Sequence, residues 1–233
     1  MKSLYDIHGL MFWGQRQIEI RDMLIDSIPG ILRFHLWSIN KSWDFQRVET
    51  PVLMPKSLLS NNYADEDIWV SHDGLCLRPE TTPGSYIHAK HLLNTIKPPL
   101  CVWQAGKSFR REQHDKSYVH MSLDEFWQME FQLIYSESTK FDYMAEICDF
   151  LPKMMAKILC WYRLQDISSS MNIIESDRLP SYSEKTMDLE IHNGHKMLEV
   201  CSISQRTDFN HNNLKVLEIA FGLDRLVSLV NED

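Results

Sequence analysis

Phe109-Arg110-Arg111-Glu112 and, after a polar stretch, Glu125-Phe126-Trp127-Gln128-Met129-Glu130 are the segments that decide the fold, together with Gly222-Leu223-Asp224-Arg225 near the C-terminus. They combine arginines that can hold phosphate, an aromatic ring and a guanidinium that can enclose adenine, and carboxylates that can hold a metal. These residue types suit a site that binds a nucleoside triphosphate in a bent conformation. The combination indicates activation of a carboxylate.

The first two segments also predict a long antiparallel hairpin. Residues 100–105 form an apolar run typical of a strand, which the Phe109 segment continues or follows. Residues 126–135 read as the returning strand, with Phe126, Gln128, Glu130 and Gln132 on one face because alternate residues of a strand share a face.

The rest of the chain predicts an α+β fold, in which an antiparallel sheet is flanked by helices. A buried helix is expected over 31–39, after a break at Pro29-Gly30, and helix-spaced apolar residues predict a long helix over 141–164 that Pro152 kinks. The remaining predicted elements are an extended segment at 45–55, strands at 74–78, 186–191, 197–204 and 216–220, and helices at 85–94 and after Gly222.

Composition bounds the class of protein. The chain has 233 residues, of which 44% are hydrophobic, so we expect a single domain over 1–233. No apolar stretch is long enough for a bilayer and no secretory signal is visible, which predicts a cytoplasmic protein without a membrane partner. A net charge of −8 argues against a broad basic surface for nucleic acid.

The cysteines indicate neither a disulfide framework nor a zinc site. There are five, an odd number, and none forms a Cys-x-x-Cys pair. We expect buried structural thiols at all of them: Cys76, Cys101, Cys148, Cys160 and Cys201.

The order of these strings resembles the class II aminoacyl-tRNA synthetase catalytic domain, most closely the dimeric type of glycyl-tRNA synthetase. Motif 1 is placed at about 30–55, motif 2 at about 101–135 and motif 3 at about 216–230. The matching strings also include Arg78-Pro79-Glu80-Thr81, Gln205-Arg206-Thr207-Asp208-Phe209 and the stretch from Leu217 to Arg225. The resemblance implies a class II synthetase-like fold and an ATP-dependent ligase.

The resemblance also assigns roles around ATP. Arg110 is expected on the α-phosphate as a catalytic residue, Glu112 on the adenine amino group, and Phe126 under the adenine ring. Arg225, also expected to be catalytic, is placed over that ring. Glu199 and Glu218 are expected to hold Mg²⁺, a hard cation that prefers oxygen ligands. Taken singly, Phe126 also fits an ordinary core residue, and each of the other groups fits an ordinary surface charge.

For the amino acid, the resemblance implies a small substrate, with glycine the best candidate. Glu80 and Glu130 match positions that face the substrate ammonium, and paired carboxylates suit a small cation. Arg206 matches an arginine of the same pocket. Ala220 stands where the glycyl family has a serine, which removes a hydroxyl from the pocket.

Several further positions depart from the family pattern. Ser122 and Asp124 replace arginines expected before Phe126, and an acid near a triphosphate repels it. Ser202 replaces a glycine and Gln132 a glutamate. An anticodon-binding domain is expected after motif 3 in this family, and the sequence given ends soon after Arg225.

Three functions therefore stay open at this point. The first is formation of an aminoacyl adenylate with transfer to tRNA, and the second is adenylation with a protein or small-molecule acceptor. The third is a non-catalytic relative that acts as a binding or accessory subunit. By resemblance a homodimer is also expected, formed through the segment from Leu32 to Pro55.

Overall fold

The computed structural model describes residues 5–7, 10–59, 63–111, 123–161, 171–177, 179–192, 196–211 and 213–230. These ranges contain four α-helices: α1 (Gln15–Ile39), α2 (Thr82–Leu92), α3 (Tyr143–Trp161) and α4 (Leu223–Val230). They also contain eleven strands: β1 (Tyr5–Ile7), β2 (Leu10–Phe12), β3 (Asp44–Arg47), β4 (Leu53–Pro55), β5 (Leu75–Leu77), β6 (Leu100–Phe109), β7 (Glu125–Ser136), β8 (Met171–Glu175), β9 (Ser183–His192), β10 (Met197–Arg206) and β11 (Leu214–Gly222). None of the helices in these ranges is long and apolar enough to cross a membrane.

A seven-stranded sheet organises the described part of the chain, in the order β3-β6-β7-β11-β10-β9-β8. All neighbours are antiparallel except β3 and β6, which run parallel. The predicted hairpin is confirmed, because β6 and β7 pair from Leu100 opposite Ile134 to Phe109 opposite Glu125.

The two faces of the sheet bury different residues, and this positions the site. Met129, Phe131 and Leu133 of β7 belong to the large core that includes residues of α1, α3 and α4. On the other face Gln128, Glu130 and Gln132 alternate with them, and a smaller core packs around Tyr86 of α2. The period-two pattern of β7 therefore places its polar residues on the face away from the large core.

The predicted break at Pro29-Gly30 is wrong, since α1 runs without interruption from Gln15 to Ile39. A proline inside a helix removes a backbone hydrogen bond and normally disfavours the helix. Here a buried stripe at four-residue spacing outweighs that cost: Ile20, Leu24, Ile28, Leu32 and Leu36. Burial of one face supplies most of the stability of a helix in a protein.

Gly30→Ala is expected to raise the free energy of unfolding by about 0.5–1 kcal/mol, because glycine costs this much relative to alanine inside a helix. A methyl group at Gly30 would meet no atom within 4 Å. Gly84→Ala in α2 is the matched control and should destabilise, because its methyl group would overlap the side chain of Thr50. Urea denaturation of both variants checks this, and a destabilised Gly30→Ala protein would contradict a continuous α1.

Other differences from the sequence predictions concern short elements. The extended segment at 45–55 is divided between β3 and β4, which belong to different sheets. The strands β1, β2 and β8 were not predicted. Pro152 lies inside α3 as expected. All five cysteines are free, but Cys160 is exposed and Cys148 is only partly buried, so the expectation of buried thiols fails at these two positions.

Candidate active site

The register of the sheet aligns the polar residues of several strands into rows. One row crosses the strands through Gln104, Glu130, Ala220, Ser202 and Asp188, each opposite the next. A second row, two residues further along, contains Gln132, Glu218, Ser204 and Thr186. Because cross-strand neighbours on one face are in contact range, the two rows form a continuous polar floor.

A cavity of about 870 Å³ lies above this floor. Eight of the predicted site residues line it: Glu80, Arg110, Phe126, Glu130, Glu199, Glu218, Ala220 and Arg225. Glu112 and Ser122 lie outside the described residues. The structure thus brings together side chains from distant parts of the sequence that the motifs had selected separately.

Arg206 is the centre of a buried ion cluster at one end of the cavity. Its side chain has 0% exposure, and its guanidinium contacts Glu80 at 3.2 Å, Glu218 at 3.0 Å and Asp208 at 2.7 Å. The ring of Tyr182 lies 3.8 Å from the guanidinium. Burial alone would lower the pKa of Arg206, but the carboxylates of Glu218 and Glu80 outweigh it and hold the pKa well above its usual value. Arg206 is therefore a permanent cation within an acidic cluster.

Glu218 is held by three donors from three parts of the chain. Besides Arg206, it accepts hydrogen bonds from the Thr82 hydroxyl at 2.5 Å and from the Gln132 amide at 2.6 Å. Gln132, one of the departures noted above, donates an amide hydrogen where a glutamate would place a second acid beside Glu218. The amide thus donates to Glu218 without adding a second negative charge beside it.

The buried carboxyl group of Glu130, on β7, lies against the start of α2. It accepts hydrogen bonds from the Thr81 amide at 2.9 Å and the Thr81 hydroxyl at 2.5 Å, and it is also bonded by Gln128. The Thr82 hydroxyl oxygen lies 3.1 Å away, but its single hydrogen is donated to Glu218 over the shorter distance. Burial, and then the charges of Glu218 and Glu80, raise the pKa of Glu130 to about 8. The charge of Arg206 lowers the pKa of Glu130, but by less than burial and the two neighbouring acids raise it.

The raised pKa of Glu130 predicts that the free energy of unfolding falls as the pH rises. The pKa of about 8 in the folded protein exceeds the ordinary value of 4.5, so this contribution to stability is complete below pH 4.5 and is lost as the pH rises through about 8. The slope for one proton is at most about 1.4 kcal/mol per pH unit. Urea denaturation across this window should give a flatter profile for Glu130→Gln than for the wild type. Equal slopes in the two proteins would contradict a protonated Glu130.

Arg110 lies between Phe126 and the loop that carries Glu80. The Arg110 guanidinium is 5.2 Å from the centre of the Phe126 ring, and its Nε donates to the carbonyl oxygen of Pro79 at 2.9 Å. The Arg110 amide donates to the carbonyl oxygen of Asp124 at 3.0 Å. Asp124, a second departure from the family pattern, thus lies beside the arginine predicted to hold the α-phosphate.

Arg225 faces Glu199 in the structure. Its Nη1 donates to the Glu199 carbonyl oxygen at 2.9 Å and lies 3.3 Å from the Glu199 carboxylate. Both side chains line the cavity near Phe126. The guanidinium that lies over Phe126 in the structure is that of Arg110. The placement of Arg225 over an adenine ring stays a prediction.

The two acids predicted to share Mg²⁺ are separated by the sheet register. Glu218 lies beside Ser204 on β10, five residues beyond Glu199 along the same strand. At about 3.3 Å per residue, the Cα atoms of Glu199 and Ser204 are roughly 16 Å apart along the strand. Within the described ranges no group of three or more His, Cys, Asp or Glu residues is arranged to hold a metal. The Glu199 side chain is 46% exposed and lines the cavity. The oxygens of Glu218, in contrast, already accept hydrogen bonds from Thr82, Gln132 and Arg206.

The structure adds residues that the sequence analysis did not select. The Tyr63 hydroxyl donates to Glu80 at 3.0 Å, Thr81 holds Glu130 and Thr82 donates to Glu218. Arg78, from the Arg-Pro-Glu string, donates to the carbonyl oxygens of Lys107 and Thr50, both at 2.8 Å, and so fixes the loop that carries Glu80. No local pattern marks Tyr63, because its role depends on a contact with a residue 17 positions away.

Comparison with known proteins shows sequence similarity to glycine–tRNA ligases. The chain is 32% identical over 145 residues to the glycine–tRNA ligase of Mycoplasma mycoides, covering 59% of this chain and 30% of that protein. It is 29% identical over 174 residues to the glycine–tRNA ligase of Mycoplasmopsis synoviae, covering 65% of this chain and 38% of that protein. The chain thus spans about a third of the length of these curated relatives. No family model matches the chain.

Solved structures with the same fold are class II synthetases. The prolyl-tRNA synthetase of Cryptosporidium parvum, in complex with halofuginone and AMPPNP, matches 98% of this chain and 49% of its own length with a TM-score of 0.72 at 14% identity. The pyrrolysyl-tRNA synthetase of Desulfitobacterium hafniense matches 91% of this chain and 68% of its own length with a TM-score of 0.59 at 18% identity. The predicted α+β class II synthetase-like fold is confirmed.

Proposed function

We propose that this chain, which has the fold of the class II aminoacyl-tRNA synthetase catalytic core and is similar in sequence to glycine–tRNA ligases, activates an amino acid with ATP. The product is an aminoacyl adenylate, and glycine is the proposed substrate. The observation that carries the proposal is a single cavity lined by Phe126 and Arg225 towards one end and by Glu130 and Glu218 towards the other, with Arg110 between Phe126 and the loop that carries Glu80.

The acidic end of the cavity suits a substrate ammonium group. Glu80 and Glu218 are paired with the buried Arg206, and burial together with the charges of these two acids raises the pKa of the neighbouring Glu130. An ammonium group entering here would favour ionisation of Glu130 and complete the charge balance. The names of the relatives support glycine, and the short Ala220 side chain on the floor leaves space beside it.

The basic and aromatic end suits ATP. In the proposed step, the substrate carboxylate forms a bond to the α-phosphorus as the bond to pyrophosphate breaks. Arg110 is placed to stabilise the charge that develops on the α-phosphate, and Phe126 to stack against adenine. The protein contributes positioning and electrostatic stabilisation, without a protein nucleophile.

Mg²⁺ fits this end of the site through Glu199, whose carboxylate lines the cavity and forms an ion pair with Arg225. Bound there, the ion would neutralise phosphate charge. Glu218 was predicted as its second ligand, but its contacts favour the amino-acid end.

We propose tRNA as the acceptor, on the names of the relatives. Asp124 lies beside Arg110, where its negative charge would repel the ATP phosphates. Two alternatives therefore stay open, namely a non-tRNA acceptor and a non-catalytic binding subunit. The cytoplasmic location stays a prediction.

ATP–pyrophosphate exchange against each standard amino acid tests the proposal, and we expect a signal with glycine. Charging of total tRNA in the same preparation then separates transfer to tRNA from transfer to another acceptor. If the folded protein gives no exchange with any amino acid, the two enzymatic functions are excluded and the binding subunit remains.

A homodimer is proposed through α1 and β4. Three large apolar side chains are exposed there: Phe34 is 69% exposed, Leu53 51% and Trp37 46%. A two-fold symmetric pair would bury this surface against itself. Light scattering at several concentrations measures the mass, and a species of 27.5 kDa at all of them would contradict the dimer.

A further inference from the structure

Asp224 is a buried carboxyl group next to the nucleotide end of the cavity, and the proposed mechanism does not use it. Its exposure is 4%, and it lies in the first turn of α4, one residue before Arg225. A buried carboxyl group is costly unless hydrogen bonds compensate it, so its partners indicate what it does.

The main partner of Asp224 is the backbone of β7. Strand β11 pairs with β7 as far as Gly222 opposite Gln128, after which the chain turns into α4. The Trp127 amide, one residue further along β7, donates to Oδ2 of Asp224 at 2.5 Å. The Asp224 carboxylate thus accepts the hydrogen bond of the Trp127 amide in place of a carbonyl oxygen of β11, whose pairing with β7 ends at Gly222.

Tryptophan and charged side chains from other elements surround this bond. The Trp13 indole also hydrogen-bonds to Asp224. The Arg21 guanidinium of α1 lies between two indole rings, 5.4 Å from that of Trp13 and 4.2 Å from that of Trp127. A cavity of about 390 Å³ is lined by Trp13, Ile18, Arg21, Lys107, Glu125, Trp127 and Asp224.

We propose that Asp224 is a positioning residue that sets the separation between the Phe126 ring and the Arg225 guanidinium, and thereby the affinity for adenine. Phe126 directly precedes Trp127 and Arg225 directly follows Asp224, so one hydrogen bond joins the immediate neighbours of both groups. This role rests on the proposed function, in which Phe126 and Arg225 enclose the base.

Protonation of Asp224 also makes the affinity for adenine depend on pH. Burial raises the pKa of Asp224 to about 7, against the hydrogen bonds from Trp127 and Trp13 that lower it. The charged groups that face it are Arg21, Lys107 and Glu125, with Arg225 on its own helix. Hydrogen bonds to an ionised acceptor are roughly twice as strong as neutral ones, so protonation of Asp224 weakens the link.

Adenosine is the probe, because it carries no phosphate and no group that titrates near neutrality. Its dissociation constant is measured by calorimetry at about pH 6 and about pH 8. Wild-type protein should bind several-fold more weakly at the lower pH, and Asp224→Asn should show no such change. Asp224→Ala should bind about tenfold more weakly at the higher pH, since a hydrogen bond to a charged group is lost. Ile18→Val, which changes an apolar side chain of the smaller cavity, is the control for disturbance of that cavity and should keep the wild-type pH dependence.

The outcomes separate this role from the proposed function. If wild-type protein binds neither adenosine nor ATP, the proposed function fails, and the role of Asp224 fails with it. If wild-type protein binds both and the Asp224→Asn variant keeps the same pH dependence, only the role of Asp224 is wrong. Circular dichroism confirms that each variant is folded, and Asp224→Asn, which keeps an acceptor oxygen, still tests the role if Asp224→Ala does not fold.

Discussion

Arg206→Met is expected to destabilise the protein by about 3–5 kcal/mol, the cost of removing one partner from a buried ion pair. The side chain of Arg206 is fully buried, and its loss would leave Glu80, Glu218 and Asp208 without their shared cation. Methionine fills a similar volume, so the cost arises mainly from the unpaired carboxylates rather than from a cavity. Urea denaturation measures the change in the free energy of unfolding.

Two further variants identify the cause of this loss. Adding Glu80→Gln and Glu218→Gln to Arg206→Met should restore part of the stability, because the buried negative charges are removed as well. Arg225→Met is the matched control, since Arg225 is partly exposed and surface ion pairs contribute only about 0–1 kcal/mol. Equal destabilisation by Arg206→Met and Arg225→Met would contradict the central position of Arg206.

Arg110→Ala is expected to reduce amino-acid-dependent ATP–pyrophosphate exchange by about 100- to 1,000-fold, the usual effect of removing one donor to a developing oxyanion. Arg110 lines the cavity beside Phe126, where the α-phosphate is proposed to lie. Exchange rates at saturating ATP and glycine give the effect on the chemical step, and urea denaturation shows whether the variant is folded.

The neighbouring arginine supplies the control. The Arg111 guanidinium lies 4.5 Å from the Trp69 ring and does not line the cavity. Arg111→Ala should therefore retain exchange within about threefold, since it removes a contact worth roughly 0.5–1 kcal/mol. Comparable losses in both variants would show that Arg110 has no special place in the reaction.

Patterns local in the sequence predicted the central hairpin well. The alternation of Phe126, Gln128, Glu130 and Gln132 identifies the polar face of β7, because a strand has a strict period of two. The same kind of local rule failed at Pro29, where burial of α1 against the sheet outweighs the cost of the proline. Tertiary packing, which is not visible in a local window, decided that case.

The candidate site was predictable as a set of residues but not as an arrangement. Glu199 and Glu218 were expected to share a metal, yet the register of β10 and β11 places Glu218 with Arg206, Thr82 and Gln132. Register depends on the pairing of whole strands, so single motifs do not reveal it. The partly buried Tyr63 and Tyr182 were missed for the same reason.

Direct detection of the adenylate tests the central claim most closely. Purified protein in excess would be mixed with glycine, Mg²⁺ and ATP labelled at the α-phosphate, and the quenched products separated by chromatography. We predict labelled glycyl adenylate and AMP that depend on glycine and are absent with Arg110→Ala. Folded, ATP-binding wild-type protein that forms no adenylate with glycine would contradict the account.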